Sequence, residues 1–548
     1  MGPPSSSKLM RLLGTEDENF YRLGQEDKKA YSYARRSFLD NLSHFSSPLL
    51  QKLLGGGLEA LALALLKRHR DMGQNLKAYA EGLERPCEKV FATFLLPELF
   101  SSYGLLTPNI MAPLLGCSSL FFRSTRSPGP PSKASSSPRG ITHFRLLDIS
   151  LSDSFSKYAQ TILFSFPKQK VFFFTTLGIP YPSLTAMNES GITLALHQKP
   201  GKFFSLKGTP IMKLAKLIIT EAKNREDIEK IVKENPSMSS WGLYLGLKEE
   251  VLEIDVIGDR HWITSHPLPE GKALYFCNEG PKETDTHKII PYGFDEYNRM
   301  RREIVEDYLA RESQKGPLSE DIILKGLTLP LGEKTVCTSR WKQSPLSPHT
   351  VDSCALNPVE NRALRLRGKA PKILKRGYET YSDCFGSPRS QGHDEKGRKD
   401  LVHWEQGLEH LSEAMAHFRG KKTNALFHSL QMAEECYGGW PEQKIVHFYR
   451  IVFEYIFLKS ARDENILLED FEKLLGQLPP YLNEQCKLFI LRLHKLLKLP
   501  PPDLTLEHEQ LKRIWKGESK LQEKILRGKR FLYIPKPEIL DIIYPFTS

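Results

Sequence analysis

Beyond residue 400 the apolar positions recur with a helical period. Trp404, Leu408, Leu411, Met415 and Phe418 fall at i, i+4, i+7, i+11 and i+14 and form one face of a helix. Residues 424–436, 442–459, 466–475 and 482–497 continue the pattern, with short turns between them. That arrangement predicts antiparallel helical hairpins, as in an α-solenoid. Between 141 and 367 the period changes. Two apolar runs, 158–166 and 171–176, are split by Pro167-Lys168-Gln169-Lys170 and read as a hairpin. The turn Asn188-Glu189-Ser190-Gly191 leads into a strand at 192–197. Amphipathic helices are expected at 210–222 and 225–233, and a strongly charged one at 296–310. Further strands are expected at 241–247, 251–257, 261–265, 273–277, 351–356 and 363–367. Many strands around a pair of helices predict stacked sheets covered by helices.

Ahead of residue 117 the pattern is again helical. Residues 1–40 are mixed polar and expected to be half ordered. Residues 49–67 read as a helix pair around Gly55-Gly56-Gly57, 68–78 as a helix, and 90–100 as a short one. This leader ends at Gly116-Cys117, where Leu120-Phe121-Phe122 opens a buried strand. Residues 123–140, rich in Ser, Pro and Arg, are an expected exposed loop. The resulting division is a leader at 1–116, a sheet domain at 117–385, a linker at 386–400, a helical domain at 401–530 and an extended tail at 531–548.

Composition narrows the class. The chain has 548 residues, 40% hydrophobic and 26% charged, enough for several domains around a sizeable core. The formal charge of +12 is spread out. Its densest basic parts, 365–376 and 512–530, lack the interleaved aromatics of a nucleic-acid platform, so no nucleic-acid partner is expected. The eight cysteines are scattered, with no metal-binding spacing, and read as reduced thiols. The first residues lack a signal-peptide pattern, and the apolar run 58–66 is too short to span a bilayer. A cytoplasmic protein without a transmembrane segment is the expectation.

Residues 68–380 resemble the acyl-CoA:6-aminopenicillanate acyltransferase family of N-terminal nucleophile hydrolases. Gly116-Cys117-Ser118 is similar to its Gly-Cys-Thr/Ser cleavage site, and Arg145-Leu146-Leu147-Asp148 to its Arg-Asn-x-Asp, with Leu146 in place of the asparagine. Met187-Asn188-Glu189-Ser190-Gly191-Ile192 is similar to its MNExGL turn. Asn278 fits an Asn-His pair in which Glu279 replaces the histidine. Glu253 stands where a strand glutamate is usual, Arg299 or Arg302 fits a helix arginine, and Thr350-Val351-Asp352-Ser353 is similar to a late strand. The C-terminal helices lie outside the resemblance.

The resemblance implies an α+β fold, a four-layer αββα sandwich, followed here by an all-α helical-hairpin domain. It also implies self-cleavage between Gly116 and Cys117. Cys117 would then be nucleophile and, through its own α-amine, base; that amine ordinarily has a pKa of about 7.7–8.0. Asp148 would hold the amine, and Arg145 would orient Asp148 or position the thiol. Asn278 would donate to the oxyanion, with Asn188 a second candidate that is also a good turn residue. The expected substrate is a small acyl amide or acyl thioester, with no metal or bound cofactor. His143 and His197 invite a Cys-His reading, but no protease signature surrounds Cys117. The competing expectation is a non-catalytic scaffold whose helical domain binds a protein partner; the lost asparagine and histidine favour it.

Overall fold

Strand segments that are apolar on both faces must be covered on both faces, and this chain covers its strands by stacking one sheet on another. The computed structural model describes residues 8–43, 48–106, 115–124, 140–149, 158–199, 201, 203–278, 294–328, 350–368, 372, 377–393, 402–419, 422–457, 461–478 and 480–528. In chain order come β1 (Lys8–Leu12), α1 (Glu16–Ser43), α2 (Pro48–Arg68), α3 (Arg70–Leu83) and α4 (Cys87–Leu106). Next are β2 (Leu115–Arg123), β3 (Ile141–Ile149), β4 (Ala159–Ser165), β5 (Lys170–Thr176), β6 (Thr185–Asn188) and β7 (Thr193–Gln198). Helices α5 (Ile211–Glu221) and α6 (Arg225–Glu234) precede β8 (Ser240–Gly246), β9 (Glu250–Ile257), β10 (Arg260–Pro267) and β11 (Ala273–Cys277). Then follow α7 (Phe294–Lys315), α8 (Glu320–Thr328), β12 (Thr350–Asn357), β13 (Arg362–Leu366), β14 (Tyr378–Ser382) and β15 (Arg389–His393). The C-terminal helices are α9 (Val402–Arg419), α10 (Thr423–Cys436), α11 (Pro441–Phe457), α12 (Ala461–Leu474), α13 (Pro480–Leu497), α14 (Glu509–Glu518) and α15 (Glu523–Gly528).

Among the described residues the strands form two sheets, ordered β1-β4-β5-β6-β7-β8-β9-β10 and β11-β2-β3-β12-β13-β14-β15. All neighbours are antiparallel except β1, which lies parallel to β4. The sheets meet face to face where β2 crosses β7, β3 crosses β8 and β12 crosses β6. Helices α4 and α5 pack on the first sheet and α7 on the edge of the second. Alternation along β2 serves both layers. Cys117 and Ser119 reach β7 of the facing sheet, while Leu120 and Phe122 join a core with Val305 of α7. Trp404, Leu408 and Leu411 belong to that same continuous core, so the C-terminal helices close over the second sheet.

The leader is more ordered than its polarity implies. Residues 8–43 are a strand and a helix, not half ordered. A Thr15–Glu18 capping box starts α1: Thr15 N donates to Glu18 Oε2 at 3.0 Å, and Glu18 N to Thr15 Oγ1 at 3.4 Å. Phe20, Leu23, Asp27 and Tyr31 bury one face of that helix. A Cβ on Gly24 would come within 2.2 Å of the Tyr79 carbonyl, so the α1–α3 contact requires glycine. The glycine run 55–57 lies inside one continuous helix, α2, where a helix pair was expected.

Glu98 of α4 ties the leader to the body. Fully buried, it accepts from Ile211 N at the start of α5, from Ser239 Oγ and from Trp241 Nε1. Burial pushes its carboxyl up to about 7. At the other boundary, the expected linker 386–400 begins as sheet: β15 pairs with β14 across Arg389–Ser382 to His393–Tyr378. Residues 125–139 of the expected loop, 394–400 of the linker and the tail at 531–548 lie outside the described residues.

Candidate active site

Cys117 occupies the third position of β2, with its thiol turned toward β7 and 1% exposed. Its Sγ accepts from Arg145 Nη2 at 2.8 Å and donates to the Leu196 carbonyl at 3.5 Å. Arg145 stands on the adjacent strand β3, two pairs along from Cys117, because Ser119 pairs with Arg145 and Cys117 with Leu147. Its other bonds run from Nη2 to Leu196 O at 2.7 Å and from Nη1 to Ser118 O at 3.4 Å. The guanidinium is therefore buried against a sulfur and two carbonyls, with no carboxylate partner among the described residues. Of the two groups it was expected to reach, the guanidinium bonds the thiol, while Asp148 accepts from Arg301.

The polarity of Asn278 is the reverse of the expectation. It follows β11, and its Oδ1 accepts from Cys117 N and from Arg301 Nη2 at 3.4 Å. Its Nδ2 donates to the Gln198 carbonyl at 2.8 Å. Two donors on one side and a carbonyl on the other fix the amide orientation. Asn278 thus presents an acceptor to the cysteine nitrogen rather than an N–H to an oxyanion.

Asp148 lies opposite Gly116 across β2 and β3. It accepts from Arg301 Nη1 at 3.0 Å and from Thr350 Oγ1 at 2.7 Å. Arg301 also donates to Ser118 Oγ at 3.0 Å and to Asn298 Oδ1 at 2.6 Å, and Asn298 Nδ2 donates to the Asn278 carbonyl at 2.6 Å. The helix arginine of this site is Arg301. Arg299 points to Glu303 on the outside of α7, and the half-buried Arg302 pairs with Glu306 and bonds the Cys277 thiol. Burial of Asn298, Arg301 and Val305, at i, i+3 and i+7, marks the inner face, and that spacing was the available sequence signal.

Gly116 sits in extended strand, outside the left-handed region that would call for glycine. Asn188 belongs elsewhere. Its Oδ1 accepts from Ile192 N at 2.9 Å, and its Nδ2 donates to Ile219 O and Ala222 O at 3.1 Å, so it locks a turn to the end of α5. It pairs near Ile192, four residues or about 13 Å along β7 from Leu196. The turn reading of this residue holds, and its place as an oxyanion donor does not.

Both buried histidines near Cys117 bond Ser119 rather than the thiol. His197 Nε2 lies 2.8 Å and His143 Nε2 3.0 Å from Ser119 Oγ. Burial, reinforced by Arg145, holds both imidazoles well below their usual pKa. His197 sits between Leu196, whose carbonyl takes the thiol, and Gln198, whose carbonyl takes Asn278. Its Nδ1 is buried and has no partner among the described residues.

Glu253 accepts from the buried Lys199 ammonium at 3.4 Å, beside Asp255 and 3.2 Å from His266. An open groove of about 920 Å³, lined by Arg123, Lys223, Arg225 and Glu249, lies at the far end of β2, about 20 Å from Cys117. No group of three metal-ligating side chains occurs among the described residues, and no described helix is long and apolar enough to cross a membrane. Neither a protein-family model nor a curated protein matches the chain.

Proposed function

We propose that the chain is a self-processing cysteine hydrolase or acyltransferase of the N-terminal nucleophile kind, with its two sheets and outer helices as the αββα sandwich of that class. The observation that carries the reading is the environment of one residue. Cys117 has a guanidinium on its sulfur and a side-chain acceptor on its nitrogen, and that nitrogen belongs to the bond expected to break. A structural core cysteine needs neither.

In self-cleavage the thiol adds to the Gly116 carbonyl carbon. The C–N bond breaks, the Cys117 nitrogen takes a proton and becomes an α-amine, and water hydrolyses the resulting thioester to free the Gly116 carboxylate. The amine keeps Asn278 Oδ1 as its acceptor and, near neutral pH, is partly unprotonated. It takes the thiol proton as the sulfur attacks a substrate acyl carbon. Arg145 positions the sulfur, and the Asp148–Arg301 pair fixes the strand beneath it. The unbonded Nδ1 of His197 is one donor for the oxyanion, beside the unbonded Nε of Arg145. Collapse expels the amine, which takes the proton back, and water or a second amine releases the acyl group. The substrate class is an acyl amide or acyl thioester.

Intact mass measured under denaturing conditions tests this directly. The wild type is expected as fragments of 116 and 432 residues, and Cys117→Ala as one chain of 548. A wild type that stays whole removes the enzyme reading and leaves the scaffold, with its partner sought at the C-terminal helices.

A further inference from the structure

Four buried side chains stand in file between the sheets, starting from a backbone amide. Gly246 N donates to Thr193 Oγ1 at 3.1 Å, and Thr193 Oγ1 lies 3.0 Å from His143 Nδ1. His143 Nε2 lies 3.0 Å from Ser119 Oγ, which lies 2.8 Å from His197 Nε2. Each of the four side chains is at most 1% exposed.

The direction of the protons follows by elimination. A buried hydroxyl gives its proton to an acceptor. Among the described residues, the acceptor within reach of the Thr193 hydroxyl is His143 Nδ1. His143 therefore carries its single proton on Nε2 and donates to Ser119 Oγ. Ser119 then has one acceptor left, His197 Nε2. The proton of His197 is forced onto Nδ1, the nitrogen with no partner.

We propose that Thr193, His143 and Ser119 are positioning residues, a one-way hydrogen-bond relay that holds the His197 proton on Nδ1, the buried nitrogen left to serve the acyl oxygen at Cys117. The relay rests on the reading of Cys117 as nucleophile and deepens it. An imidazole left to itself shares its proton between two nitrogens. The tautomer protonated on Nε2 would turn a lone pair toward a developing oxyanion and oppose it. The relay removes that tautomer without adding charge. It is anchored at its far end by a main-chain N–H, which no side-chain motion can withdraw.

The experiment is nitrogen NMR on the full chain with ¹⁵N-labelled histidine, with signals assigned through His143→Gln and His197→Gln. The expected wild type shows His143 protonated on Nε2 and His197 on Nδ1. Thr193→Val removes the first side-chain donor and is expected to place part of the His197 proton on Nε2. With N-hexanoyl-4-nitroanilide as probe, kcat should fall in proportion to that fraction while KM holds, and Thr193→Ser should restore both signals. The relay is overturned if wild-type His197 carries its proton on Nε2, or if Thr193→Val changes neither tautomer nor kcat. Expected tautomers in a wild type that neither cuts itself nor turns over the anilide sink the nucleophile reading alone, because the nitrogen signals report the relay without any reaction.

Discussion

Arg145 Nη2 lies 2.8 Å from Cys117 Sγ, and among the described residues the guanidinium has no carboxylate partner. Burying an uncompensated cation costs several kcal/mol, so the arrangement is one that stability alone would not keep. Arg145→Met is expected to fold with unchanged or raised melting temperature and to lose self-cleavage about 100-fold or more. Arg145→Lys should fail similarly, because one ammonium cannot span the sulfur and two carbonyls. Thermal unfolding and the cleavage time course check both. An Arg145→Met protein that melts lower and still cuts itself would make the residue structural.

Asn278 offers an acceptor to the Cys117 nitrogen. Asn278→Ala removes that acceptor from the buried Cys117 N–H and a donor from the Gln198 carbonyl. The expected loss is about 1–3 kcal/mol per group. Its functional part should appear as slowed cleavage, not as a changed KM for any later substrate. Rates from single-turnover cleavage of freshly folded chain decide this.

Little of this site could be read from the residue pattern alone. Strands β2, β4, β5 and β7 through β11 were legible because their apolar runs are long and bounded by clear turns, whereas the four residues of β6 were read only as the approach to a turn. Cys117, Arg145, Asp148 and Asn278 were singled out by the order of motifs in a family resemblance, and they do come together. Arg301 was not, since three arginines within four residues give no cue to which one faces inward until the helix phase is known. Ser119 and Thr193 were invisible for another reason. A hydroxyl becomes functional only through what lies across the sheet from it, and that pairing is set by register between distant strands. Strand β1 was missed because five residues of parallel edge pairing leave almost no periodic signature.

Glu98 makes the body–leader contact sensitive to pH. Burial raises its carboxyl from 4.5 to about 7, so the folded state holds a proton that the unfolded chain releases. Stability therefore falls as pH rises from about 4.5 to about 7 and is flat above, by roughly 3 kcal/mol in all. Asp27, raised to about 6 by burial, adds a smaller fall in the same direction. Glu98→Gln should flatten most of this dependence in urea unfolding measured from pH 5 to 8. An unaltered profile would mean that the carboxyl is not the titrating group.

Gly246 leaves room at the head of the histidine file. A Cβ there would stand 2.7 Å from Thr193 Oγ1 and 3.2 Å from Phe121. Gly246→Ala should displace the Thr193 hydroxyl, with the two sheets still stacked, and cost roughly 1–3 kcal/mol by overpacking. Its turnover should resemble that of Thr193→Val more than that of Thr193→Ser.

The Arg492–Glu518 pair joins α13 to α14 through two bonds of 2.7 and 2.8 Å, with both side chains 1% exposed. Removing Glu518 takes both of these bonds from a buried guanidinium. Glu518→Ala should lose about 3–5 kcal/mol, and the double change Arg492→Met with Glu518→Leu should recover most of it. Calorimetry on the three chains tests the sign of each step.

Strand β1 lies before Cys117 yet supplies the outer edge of a sheet whose other strands all lie after it. A cut at Gly116 would therefore release no propeptide. It would leave two polypeptides that share one sheet, and folding that was unimolecular would become bimolecular. Once separated by denaturant, the halves would have to find each other again, so recovery of the cut protein would depend on its concentration while the uncut precursor would refold at any dilution. Maturation would act as a ratchet, with the chain assembled in one piece and unable, after the cut, to retrace the same path.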